Sequence, residues 1–129
     1  MQLILCAVIA LVACGGSKPA PQKPTVDTAS LAAEIDAEQA DLAMILHRDR
    51  EDCTALATNL RTLFSTMTAS FARAKDLQKD PAVAKQLTSD MKRYDAAAAQ
   101  RAAAIDAEVD GPCVHDTAVR DVLMTMPTL

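Results

Sequence analysis

Trp is absent from the 129 residues, and the aromatic side chains come to one Tyr and two Phe. Stacking platforms for bases and the apolar walls of a haem pocket both need such rings, so neither is expected. With only three Gly and few β-branched runs, the alternating, turn-rich pattern of a β-sandwich or barrel is missing. The 13 Lys and Arg are outnumbered by 17 Asp and Glu, for a formal net charge of -4. That balance disfavours a nucleic-acid partner, which requires a clustered basic surface. Cys-x-x-Cys, its haem-attaching extension, Gly-rich phosphate loops, Gly-x-Ser-x-Gly and His-Glu-x-x-His do not occur. No nucleophile–base pair can be placed by spacing, and a non-enzymatic protein without a cofactor is expected. What is abundant is alanine, roughly a fifth of the chain, within a composition that is 50% hydrophobic. The length suits one domain.

Long apolar runs are also scarce. The single candidate, Leu3 to Ala13, would reach only ~17 Å as a helix, well short of a ~30 Å hydrocarbon core. It has instead the length of a signal-peptide h-region. It ends in Leu11-Val12-Ala13-Cys14-Gly15-Gly16, which resembles the lipobox of bacterial lipoprotein precursors. The resemblance implies that residues 1–13 are a signal peptide cut off before Cys14, whose thiol is diacylated and whose new amino group is usually acylated too. It also implies a lipid-anchored protein of the bacterial envelope, in the outer membrane and facing the periplasm. The next stretch, Gly15 to Thr25, alternates Pro with Gly, Ser and Lys and offers nothing to a core. Residues 14–26 thus read as a lipidated cysteine and a disordered tether, whose Lys18 and Lys23 suit anionic headgroups.

From residue 27 to 129 the sequence predicts an all-α domain, a small antiparallel bundle of three to four helices with a long central hairpin. Apolar residues recur at three and four: Leu31, Ile35, Leu42, Ile45 and Leu46, then Leu56, Leu60, Leu63, Phe64, Met67, Phe71 and Leu77. A third run takes in Val83, Leu87, Met91, Tyr94, Ala98, Ala102, Ile105 and Val109, and a short fourth has Val119, Val122, Leu123 and Met126. Asp80-Pro81 is a helix start, and Gly111-Pro112 reads as a left-handed C-terminal residue followed by a breaker. Between His47 and Asp52 there is neither Gly nor Pro, but one unbroken helix over 28–79 would leave half its apolar face unpartnered. A break there is expected, with Asp49 able to cap the second helix. The acidic residues of the first helix, Glu34, Asp36, Glu38 and Asp41, read as a solvated face, and the Met residues as core fillers.

Under the lipoprotein resemblance, Cys6 leaves with the signal and Cys14 is acylated, so Cys53 and Cys113 remain in an oxidising compartment that would join them. An antiparallel pairing of helices about 51–78 and 82–109 independently puts position 53 level with the mouth of the hairpin, where the Gly111-Pro112 turn brings Cys113 back. His47 and His115 should sit at that same end, near Asp49, Asp52 and Asp116. Two imidazoles and a carboxylate could hold a divalent metal, with Met44 or Met124 adding a thioether for copper, although no two His or Cys share a helical spacing. Two readings follow. The first is a tethered structural or protein-interaction module with an apolar groove where the short fourth helix fails to cover the hairpin. The alternative is a small-ligand or metal-binding bundle using His47 and His115.

Overall fold

The computed structural model describes residues 26–108 and 110–129; the expected signal segment, Cys14 and the tether through residue 25 lie outside them. Five α-helices follow in order: α1 (Thr28–Arg48), α2 (Cys53–Leu77), α3 (Pro81–Met91), α4 (Asp95–Glu108) and α5 (Thr117–Leu123). Short 3-10 segments at Lys92–Tyr94 and Pro112–His115 join α3 to α4 and precede α5. The described residues include no strand, and none of their helices is long and apolar enough to cross a membrane.

Aspartate starts four of the helices, because its carboxylate accepts from backbone N–H groups that have no partner inside the first turn. Asp27 accepts from Ser30 N, Asp52 from Ala55 N, Asp80 from Ala82 N and Val83 N, and Asp116 from Val119 N. The chain does break between α1 and α2, over residues 49–52. Asp52 is the cap of the second helix, while Asp49 closes the end of the first and does not start the next.

Side-chain pairs fix the directions. Glu34 meets Arg73, Glu38 meets Ser70 and Asp49 meets Asn59, so α1 and α2 run antiparallel. Thr28 meets Asp90, Asp36 meets Arg101 and His47 meets Glu108, so the α3–α4 arm runs parallel to α1. The expected hairpin is therefore present, but α1 packs along both of its arms, and α5 lies back against α2. The core is the shared face: Leu31, Ile35, Leu42 and Ile45 of α1 against Leu56, Leu60, Phe64, Met67 and Phe71 of α2, closed by Leu87, Val119 and Val122. Each such large side chain, fully buried, contributes about 1.5–3 kcal/mol. Ala32, Ala57 and Ala74 are also buried and keep the helices close.

Four further expectations need correction. The third helix is two, interrupted at Lys92–Tyr94, and no residue of its Ala-rich second half is buried. A methyl group covers little apolar area, so the 96–104 alanines supply helicity more than core. Glu38 is not on a solvated face: it is 4% exposed and accepts a 2.5 Å hydrogen bond from the Ser70 hydroxyl. Met44, Met124 and Met126 are exposed and do not fill the core, unlike Met67. Gly111 is extended, with φ -63 and ψ 162, and not left-handed. The following Pro112 disfavours helical backbone before it and selects this conformation. What favours glycine there is space, since a Cβ would lie 3.0 Å from the Glu108 carbonyl oxygen, a tight contact.

Candidate functional site

Chemistry-bearing residues gather at the end of the bundle where α1 stops, α2 starts and α4 runs out. Cys53, the first residue of α2, is bonded to Cys113 in the second 3-10 segment, with an S–S distance of 2.06 Å and a sequence separation of 60. Cys113 is buried against the core, so the bond fastens the chain beyond α4 to the start of α2.

His47 reaches this end, as does His115, and both are exposed. His47 Nδ1 is 2.7 Å from Glu108 Oε1, a bridge between α1 and α4. The three carboxylates that the sequence places beside the histidines are engaged elsewhere. Asp49 accepts from Arg48 Nε at 2.6 Å, from Arg48 Nη2 at 2.7 Å and from Asn59 Nδ2 at 2.7 Å. These donors hold its carboxyl at about 2, from an ordinary value of 3.8. Asp52 and Asp116 are spent capping α2 and α5. Met44 and Met124 face solvent. Among the described residues no group of three or more His, Cys, Asp or Glu is arranged to hold a metal ion.

Behind the disulfide lies an apolar cleft of about 210 Å³, walled by Leu42 and Leu46 of α1, Leu56 of α2, Ile105 of α4 and Val119 and Leu123 of α5. An apolar space of this size is large enough for apolar guests: enclosed cavities of about 150 Å³ accept small hydrocarbons. Its charged lining residues are Arg50 and Glu108. Glu108 is committed to His47, whereas the ion pair of Arg50 with Glu51 spans 3.8 Å, longer than a hydrogen bond. The Arg50 side chain is 48% exposed, which marks where the cleft meets solvent. A second cleft of about 420 Å³ continues along α1, between α2 and α4, under the C-terminal residues Met126–Leu129. Leu42, Ile105 and Met126 line both spaces. Helix α5 ends at Leu123, the chain turns at Met124–Thr125, and its last residues lie over the second cleft without regular structure.

Sequence reasoning expected an apolar groove beside the short last helix but did not find Arg50 or Glu108 at it, nor the second cleft under the C-terminal residues. The buried Glu38–Ser70 pair did leave a signal: Glu38 falls between Ile35 and Leu42 on the apolar face of α1. At the opposite end, Val26 and Asp27 lie beside Leu77, and Thr28 donates to Asp90 at 2.7 Å. The chain thus enters the bundle about 30 Å from the disulfide, the length of the 21 residues of α1. No family model, curated protein or solved structure matches this chain.

Proposed function

We propose that this chain is a lipid-anchored protein of the bacterial envelope that holds an apolar client and catalyses no reaction. Its tether enters one end of the bundle and its client sits in the cleft at the other. The observation that carries this reading is the separation of the two ends. The lipobox-like Leu11-Val12-Ala13-Cys14 precedes a Pro-rich stretch that joins the bundle at Val26–Asp27, and the apolar cleft lies a full α1 length away, beside Cys53–Cys113. A domain tethered at the first end leaves the second free to face away from the membrane, where a client is met. The disulfide belongs with an exported domain, because periplasmic conditions preserve such bonds. Lys18 and Lys23 add attraction to anionic headgroups near the anchor.

The test is fractionation of a bacterial host expressing the full-length chain with Cys14 intact or as Cys14→Ser. The intact chain should lose residues 1–13, gain the mass of acyl groups and sediment with membranes. The Ser variant should keep its signal segment and carry no lipid. Identical processing and lipid content in the two would overturn the anchored reading.

A further inference from the structure

We propose that the two adjoining clefts bind the alkyl chain of a single-chain anionic amphiphile, whose head group is met by Arg50. The inference names the client of the site described above; it rests on that reading for where the ligand is encountered, though not for whether it binds. The shape is the first argument. The clefts adjoin across Leu42, Ile105 and Met126, and their α4 lining together runs from Ala98 to Glu108, about 15 Å of helix. Apart from Arg50 and Glu108 in the first cleft and Gln39, Arg101 and Thr128 in the second, the lining is apolar and suits an extended hydrocarbon chain. A partner helix about 10 Å across would not enter a cleft of about 210 Å³.

Charge is the second argument. Of the two ionic residues lining the first cleft, Glu108 already bridges to His47 at 2.7 Å, and Arg50 keeps only a 3.8 Å pairing with Glu51. A carboxylate or other anionic head at the mouth would give the Arg50 guanidinium the charge-assisted partner it lacks. The third argument is the movable wall. Met126 lines both spaces and is 47% exposed, on a tail with no helix after Leu123. An unbranched thioether can swing aside without breaking packing elsewhere, and this opens one compartment into the other.

The test is calorimetric titration of the full-length, oxidised chain with linear alkanoates from hexanoate to palmitate, each below its micellar concentration. Affinity should rise about fourfold per methylene, the transfer gain of one buried CH2, and level off once the clefts are full. Ile105→Trp, which fills the shared wall, should abolish the series; Leu46→Trp does the same from α1 if the first variant fails to fold. Arg50→Gln should weaken alkanoates about tenfold and leave alkanols of equal length unchanged. Failure of every alkanoate to bind overturns the proposal. So does affinity that climbs without levelling and ignores both Trp variants, the mark of adsorption outside the clefts. Equal losses for alkanols and alkanoates in Arg50→Gln overturn the head-group assignment. Binding is measured without a membrane, so a chain that takes alkanoates yet is indifferent to Cys14→Ser loses its anchor and keeps this ligand.

Discussion

Asp49 gathers more donors than any other carboxylate in the turn between α1 and α2: two from Arg48 and one from Asn59. These bonds favour the ionised form and hold its pKa at about 2. Asp90 is lowered as well, first by the Thr28 hydroxyl and then by Gln86 and Arg93. In the unfolded chain both would titrate near the usual value of about 3.9. On acidification the unfolded state therefore takes up protons before the native state does, and stability falls. Asp49's contribution is complete above about pH 4 and is lost as pH drops toward its folded value near 2, and Asp90's is lost in the same direction. Urea midpoints measured down this range should decline, and Asp49→Asn should make the decline shallower. An unchanged slope in that variant would show that the turn does not carry the effect. Glu38 teaches a different lesson at the same scale. Its position on the apolar face of α1 was legible, but a first helix rich in Asp and Glu makes a solvated face the simplest reading, and only Ser70 on a neighbouring helix explains the exception.

Among the elements, α4 is the least embedded. It has no buried residue, and its ties to α1 are Arg101 to Asp36 and Glu108 to His47. Alanine gives it strong intrinsic helicity, yet little apolar area is lost to water when it detaches. Amide hydrogen exchange should therefore find α4 opening well before α1 and α2, whose Leu, Ile and Phe side chains form the core. Equal protection across the three helices would contradict this ordering. The contrast also explains what the sequence revealed. Helices α1, α2 and α5 were readable because large apolar residues recur at helical spacing, and the start of α3 because Asp80-Pro81 marks it. The 3-10 interruption at Lys92–Tyr94 has no Gly or Pro to announce it. The mouth of the first cleft was foreseeable only as an uncovered region, since its polar rim depends on how Arg50 and Glu108 meet across separate elements.

For the molecule as a whole, the cross-link between Cys53 and Cys113 matters because a small domain has little stability to spare. Closing a loop of this length restricts the unfolded chain by about 4 kcal/mol on the entropic account. Domains of this kind have only about 5–15 kcal/mol to lose. Reduction should shift the urea midpoint sharply downward, and a midpoint insensitive to reductant would mean that the helices hold without the bond. The same bond has a topological effect. Residues 53–113 form a covalent ring, from which one tail leads back toward residue 1 and another leads to Leu129. A backbone cut inside a ring opens a circle without dividing a line, so both new ends stay on one molecule until the sulfurs part. The exposed α4 lies within that ring, so a nick in it sheds no fragment.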